Sequence, residues 1–123
     1  MQFALMIYHT PEEFDMRKDY SHPHIGAWRA YYKALVAAGV YVSGDALEVP
    51  ETGTTVRLRE GKRRVQDGPY ADTKEQLAGF IILELPSVGA ALDWAARCPG
   101  ASLGAVEVRP LAPESKRRGF TGE

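Results

Sequence analysis

The chain has 123 residues, of which 45% are hydrophobic and 25% are charged, a mixture typical of one folded, soluble domain. Fifteen basic and sixteen acidic residues leave a formal net charge of −1, so neither nucleic acid nor a membrane surface is an expected partner. The single cysteine, Cys98, excludes an internal disulfide and favours a reducing, cytoplasmic location.

The first predicted elements are a strand and a helix. The apolar run from Phe3 to Tyr8 is followed by a proline-containing break and predicts a buried strand. Residues 12–20 are charged and without a clear period, which indicates a loop or a short irregular helix. Ser21 or His22 lies where a helix cap belongs, and apolar residues at helical spacing predict a helix over residues 23–38.

A second strand and a hairpin follow. Residues 40–43 are apolar enough for a strand, and residues 54–59 alternate apolar and polar side chains. Residues 62–66 run back after a short turn, so a β-hairpin is predicted. Asp67-Gly68-Pro69 then forms a strong turn, because Asp67 can bond to the backbone ahead of it and Gly68 can adopt a positive φ.

The rest of the chain repeats the strand–helix–strand order. Residues 79–85 predict a strand, Ser87 can cap a helix that ends at Pro99-Gly100, and residues 105–109 predict the last strand. This order predicts an α+β fold of the ferredoxin-like type. The prediction is one domain over residues 1–112, followed by a polar, basic tail over residues 113–123.

The predicted sheet has more apolar surface than two helices can cover. The strands at 3–8 and 79–85 are apolar on both faces, as strands buried on two sides are. Right-handed crossovers place both helices on one face, so the other face is left bare. Burial of that face against a second copy predicts a homodimer. The alternative is a monomer in which the tail and the hairpin cover the face.

The turn Asp67-Gly68-Pro69-Tyr70 and the segment 71–80 resemble the Asp-Gly-Pro-Phe signature of the YCII-related, or DGPF-domain, family. The resemblance continues through residues 90–99 and 106–110, and upstream through residues 37–47. It implies a dimeric α/β barrel built from two ferredoxin-like protomers. It also implies genomic association with extracytoplasmic-function sigma factors, and a histidine–aspartate pair in a pocket between helix and sheet.

The resemblance carries the histidine of that pair onto His24, early in the first predicted helix. The aspartate has no counterpart at the end of this helix, so Asp45 and Asp67 are the candidate partners. The predicted pocket lies between this helix and the sheet, near the strand ends that carry Tyr8 and Asp67. The alternative for His24 is a cap or a surface residue, and the alternative for Asp67 is a rigid turn.

Five further residues are candidate ligand contacts because they combine aromatic or polar groups near the predicted pocket: Tyr8, Trp28, Tyr70, Lys74 and Glu75. Core or dimer packing is the alternative for the aromatic residues, and a solvated ion pair is the alternative for Lys74 and Glu75. His9 can face the mouth of a pocket, or it is a loop histidine. No cofactor and no metal are expected, because the histidines lack a regular spacing with carboxylates.

Two functions follow from these residues together with what the family resemblance implies. The first is a His-dependent enzyme, or an enzyme-derived pocket, for a small molecule such as an aromatic compound. The second is a non-catalytic ligand-binding or regulatory module associated with extracytoplasmic-function sigma factors. The missing aspartate favours binding over catalysis, and a purely structural dimer is a third alternative.

Overall fold

The computed structural model describes residues 1–123. Six strands run over β1 (Gln2–His9), β2 (Tyr41–Ala46), β3 (Thr54–Arg59), β4 (Lys62–Asp67), β5 (Gln76–Glu84) and β6 (Ala105–Pro110). The helices are α1 (Pro11–Met16), α2 (Pro23–Ala37), α3 (Val88–Arg97), α4 (Gly100–Leu103) and α5 (Glu114–Thr121), and Pro50–Thr52 is a 3₁₀ turn. The predicted order of long elements is confirmed. The short helices α4 and α5 are additional, and α5 lies in the predicted tail.

Four of the six strands form one antiparallel sheet in the order β2-β5-β1-β6. The connection from β1 to β2 contains α2, and the connection from β5 to β6 contains α3, so two strand–helix–strand units interleave. The mixed α+β class with an antiparallel sheet is thus confirmed. Strands β3 and β4 form a separate two-stranded hairpin, as the sequence predicted.

Both long helices pack on one face of the four-stranded sheet. Alternate residues of β1 and β5 point to that face and are buried with side chains of α2 and α3; the core cluster is Phe3, Leu5, Ile7, Tyr31, Leu35, Ile81, Leu83, Leu85, Ala91, Ala95 and Cys98. The intervening residues of β1, such as Met6 and Tyr8, point to the opposite face and are half-buried. We call this opposite surface the open face, because neither long helix covers it.

Local turn chemistry agrees with the predictions. Gly68 has φ of +100°, the positive value expected from the Asp67-Gly68-Pro69 turn. His22, one of the two predicted caps, is the N-cap of α2, and Ser87 caps α3. No helix combines the length and the apolar character that crossing a membrane requires.

Candidate functional site

The first turn of α1 fixes the position of Glu13. Thr10 is the N-cap, and its Oγ1 accepts a hydrogen bond of 3.2 Å from the Glu13 backbone N–H. The Oε1 atom of Glu13 accepts one in return from the Thr10 backbone N–H, also at 3.2 Å. This capping box uses one carboxylate oxygen for local structure and leaves Oε2 free to face the rest of the domain. The Glu13 residue is only 1% exposed.

The free oxygen of Glu13 faces His24. Their Oε2 and Nε2 atoms are 3.4 Å apart, and the His24 side chain is 12% exposed. Helix α2 sets the backbone of His24, whose N–H donates to Nδ1 of the N-cap His22 at 3.0 Å. His24 therefore lies in the first turn of α2 without being its cap, and its ring is turned inward against α1.

The Nε2 atom of His24 has a second neighbour in Trp28, one turn further along α2. The indole N–H of Trp28 donates to this nitrogen at 3.3 Å. A nitrogen that accepts from an indole carries no proton, whereas a nitrogen that donates to a carboxylate does. The two contacts thus correspond to different proton positions on the same imidazole. At 3.4 Å, the Glu13 contact is longer than a typical hydrogen bond to a carboxylate, and Oε2 has no hydrogen-bond donor.

The Glu13 carboxylate is covered by a glycine from the other end of the chain. A Cβ on Gly104 would lie 2.6 Å from Glu13 Oε1 and would also collide with the Tyr8 carbonyl oxygen. Only a residue without a side chain allows α4 and β6 to close over the carboxylate at this distance. Cys98 is buried nearby, and burial raises the pKa of its thiol to about 11, so this thiol is not an activated nucleophile.

His9 is the second buried histidine of this region. It is the last residue of β1, it is 6% exposed, and its ring packs at 5.1 Å from that of Phe14 and 6.2 Å from that of Trp28. Burial is the main cause that lowers the pKa of His9 to about 4, and the neighbouring Arg17 and His24 add to the effect. The imidazole is therefore neutral at pH 7, and its buried Nδ1 has no hydrogen-bond partner.

A cavity of about 610 Å³ lies between α2 and the sheet, beside these groups. His9 and Trp28 form part of its wall, whereas His24 and Glu13 do not line it. His24 contacts the lining residue Trp28, and Glu13 contacts His24. Its charged lining residues are Arg17, Arg29, Lys33 and Asp45. Arg29, Lys33 and Asp45 are exposed, so the cavity opens to solvent at their end. We call it the helix-side cavity.

A second hollow of about 490 Å³ lies at the end of the open face. Tyr8 from β1 and Leu77 from β5, which are paired across the sheet, form its floor, and Tyr70 and Glu75 come from the loop after the hairpin. Tyr70 is 79% exposed, and its ring lies 5.4 Å from the Arg57 guanidinium. We call this hollow the open-face groove.

The residues predicted as site candidates are divided between these regions. Trp28 and Asp45 line the helix-side cavity, and His24 contacts Trp28. Tyr8, Tyr70 and Glu75 line the open-face groove. Asp67 pairs with Thr54 at the end of the exposed hairpin, and Lys74 is exposed without a salt bridge to Glu75.

Two residues of the helix-side region were not considered from the sequence: Glu13 and Arg17. His9 was predicted either to face the mouth of a pocket or to be a loop histidine, and it is the last residue of β1 and lines the cavity. The signal for Glu13 is the sequence Thr10-Pro11-Glu12-Glu13, a Thr-x-x-Glu capping box with proline at the first helical position. That pattern predicts the helix, but it does not predict what the second carboxylate oxygen faces. No group of three or more His, Cys, Asp or Glu side chains is arranged to hold a metal ion.

Comparison with solved structures shows a fold in common with an enzyme. The chain superposes on the 5-chloro-2-hydroxyhydroquinone dehydrochlorinase of Burkholderia phenoliruptrix AC1100, in complex with 2,5-dihydroxybenzoquinone, with a TM-score of 0.54. The match covers 94% of this chain and 98% of that chain at 18% identity. At this identity the similarity concerns the fold alone.

Sequence comparison gives two further matches. An uncharacterized protein of Rhizobium meliloti (strain 1021) is 48% identical over 67 residues, which cover 52% of this chain and 54% of that protein. The chain thus matches about half the length of this relative. The YCII-related domain matches residues 1–115, nearly the whole chain. The chain belongs to the YCII-related domain family.

Proposed function

We propose that this chain is a His-dependent enzyme that moves a proton on a small, planar molecule bound in the helix-side cavity. The observation that carries the proposal is the contact of 3.4 Å between Glu13 Oε2 and His24 Nε2, both shielded from solvent and next to the wall of that cavity. A histidine held by a buried carboxylate beside a cavity is a common arrangement for general acid–base catalysis.

In this proposal Glu13 is the acid partner of His24. The carboxylate stabilises the protonated imidazole, and the Trp28 N–H stabilises the neutral one, so both protonation states of His24 have a partner. His24 contacts the lining residue Trp28 but does not itself line the cavity, so Glu13 and His24 both act on the ligand through the cavity wall and are positioning residues. Asp45 lines the cavity and is proposed to contact the ligand there, and the exposed Asp67 remains the weaker candidate.

His9 is proposed as the group that touches the ligand. It lines the cavity, and its pKa of about 4 keeps it neutral at pH 7. A neutral imidazole can donate a hydrogen bond to a ligand oxygen, or accept one from a ligand hydroxyl, without a net charge. The shared fold of a dehydrochlorinase that holds a small quinone supports chemistry on a planar, oxygenated ring.

The ferredoxin-like protomer and the dimeric α/β barrel belong to the same proposal. The strand order β2-β5-β1-β6 supports the former. For the latter, the open face carries half-buried apolar residues such as Met6, Phe80 and Ile82, and all residues of α5 are exposed rather than packed on that face. Sedimentation at micromolar concentration should give twice the chain mass. A monomer at that concentration would exclude the barrel.

The experiment that tests the catalytic proposal is a metabolite-binding screen followed by turnover assays on every hit, with three variants. Glu13→Gln keeps the capping box, because glutamine can also accept from the Thr10 N–H, but it removes the charge facing His24. Glu12→Gln is the matched control, since Glu12 is the exposed neighbour in the same turn. His24→Gln removes the imidazole.

We expect Glu13→Gln and His24→Gln to lower kcat by about 10²-fold or more, as loss of acid–base catalysis does, while Glu12→Gln retains the parent rate. Unchanged melting temperatures would show that the loss is chemical. Full activity in both the Glu13 and the His24 variants would refute the proposal. A hit that binds tightly at the cavity and is never converted would instead indicate the non-catalytic ligand-binding or regulatory module.

A further inference from the structure

The charges around the helix-side cavity are unbalanced. Its lining contains three cations, Arg17, Arg29 and Lys33, and a single carboxylate, Asp45, although the whole chain has a net charge of −1. None of these four residues takes part in a salt bridge. A concentration of unpaired positive charge at one cavity of a slightly acidic protein favours an anionic ligand.

Arg17 is the cation best placed to hold such a ligand. Its Nη2 donates to the Leu47 carbonyl oxygen at 2.6 Å, and its guanidinium lies 5.4 Å from the centre of the Phe14 ring. Its Nη1 is buried and has no acceptor. A buried donor without a partner costs free energy, which an oxygen of a ligand would recover.

The remainder of the lining is apolar and partly aromatic. Trp28 and Tyr32 contribute rings, and Ile25 and Ile81 contribute aliphatic groups. His9, which is buried and has an unpartnered nitrogen, lies in the same wall. The lining thus combines an apolar body with a positive rim, which matches a ligand that has an apolar ring and a single negative group.

We propose that the helix-side cavity binds a small organic monoanion with a planar apolar body, of the aryl carboxylate class, and that Arg17 is its anchoring residue. This inference rests on the same cavity as the proposed function and names the class of its ligand. The guanidinium is positively charged and its Nη1 has no acceptor, so a charge-assisted hydrogen bond favours a carboxylate over a neutral amide.

The test compares benzoate with its neutral isostere benzamide, by NMR of the tryptophan indole N–H signals. Trp28 lines the cavity and Trp94 does not, so one spectrum contains both the reporter and its internal control. We expect benzoate to shift the Trp28 signal more than the Trp94 signal, and to bind about tenfold more tightly than benzamide. Added salt should weaken the binding of benzoate only.

Two substitutions that each remove one positive charge distinguish a specific contact of Arg17 with the ligand from the general effect of the protein's charge. Arg17→Gln should lower the affinity for benzoate about tenfold and leave benzamide unchanged. Lys18→Gln removes the same charge from the next residue, which is exposed, pairs with Asp15 and does not line the cavity, so it should leave both affinities unchanged. If Arg17→Gln does not fold, Lys33→Gln replaces it, with a smaller loss expected for benzoate alone.

Equal affinities for benzoate and benzamide, or no shift of Trp28 at millimolar benzoate, would overturn the inference. An equal loss in the Lys18 and Arg17 variants would overturn the assignment of Arg17. These results do not depend on turnover. If the protein converts only neutral molecules, the anionic ligand class is refuted and the enzyme proposal is not. If it binds benzoate selectively but converts none of the hits of the metabolite screen, the enzyme proposal is refuted and the ligand class is not.

Discussion

On the helix side of the four-stranded sheet, His9, Glu13 and His24 are packed between α1, α2 and the sheet, whereas Tyr70 and Glu75 of the open-face groove are exposed to solvent. Both regions contain aromatic and ionisable side chains beside a hollow of several hundred Å³. They differ in how much water reaches those side chains and in how many buried polar atoms lack a partner.

That difference decides where chemistry is favoured. The three buried side-chain atoms without a hydrogen bond, His9 Nδ1, Glu13 Oε2 and Arg17 Nη1, all lie on the helix side. Unpaired polar groups in a protein interior are costly and interact strongly with one another, while exposed groups are screened by water. The residues that line the open-face groove include none of these atoms.

The largest expected effect concerns the glycine that covers Glu13. A side chain at Gly104 would force the Tyr8 backbone and the Glu13 carboxylate apart, so Gly104→Ala should lower the free energy of unfolding by about 2–3 kcal/mol. Urea denaturation measures this loss. Gly89→Ala is the control, because the nearest atom to its Cβ would be Ser87 Oγ at 3.8 Å. Equal midpoints for both variants would contradict the close packing over Glu13.

The second effect is the dependence of stability on pH that His9 causes. Its pKa is about 4 in the folded chain and near 6.5 when unfolded, so the unfolded chain binds more protons between these values. Stability should therefore fall as pH falls from 6.5 towards 4, by about 2 kcal/mol at pH 5.

His9→Phe isolates this contribution, because it keeps ring contacts with Phe14 and Trp28 but cannot be protonated. The variant should be at least as stable as the parent at pH 7, since it also removes the unpartnered Nδ1. Its stability should decline less between pH 7 and pH 5, as measured by urea unfolding at each pH. Parallel pH profiles for parent and variant would show that His9 is not buried as described.

The third effect compares two glycines, one beside the open-face groove and one in α2. Gly68 has φ of +100°, so Gly68→Ala should cost about 1 kcal/mol, although its Cβ would meet no atom within 4 Å. Gly26→Ala has equal space but lies in a regular helix, so it should raise stability by up to about 1 kcal/mol. Thermal midpoints that move in the same direction would contradict the turn conformation.

The smallest expected effect is at Tyr70, which tests the groove directly. Because its ring is mostly exposed and contacts Arg57 only through a solvated cation–π interaction, Tyr70→Ala should change stability by less than about 0.5 kcal/mol. It should also leave benzoate binding and turnover unchanged. A loss of turnover equal to that of His24→Gln would move the site to the open-face groove.

Much of the fold could be predicted because its signals are local. The apolar runs of β1 and β5, the spacing of apolar residues in α2, and the caps at His22 and Ser87 each depend on neighbours within one or two turns of chain. The turn at Gly68 was predictable for the same reason, since its backbone conformation follows from the residue itself. The uncovered second face of the sheet was predictable because the strands are apolar on both faces and the two long helices can cover only one of them.

The candidate site was only partly predictable, because its chemistry depends on which residues packing brings together. The sequence alone determined that His24 lies in the first turn of a helix and that the first strand ends next to His9. The pattern Thr10-Pro11-Glu12-Glu13 is also a local signal for a helix start, but this segment was predicted only as a loop or a short irregular helix. Only the tertiary structure decided that Glu13 Oε2 faces His24, because the two residues lie on different helices that come together only in the folded domain. Burial of the Glu13 carboxylate likewise depends on Gly104, which lies about 90 residues further along the chain. The solvent exposure of an atom is a property of the assembled domain and cannot be predicted from a local sequence pattern.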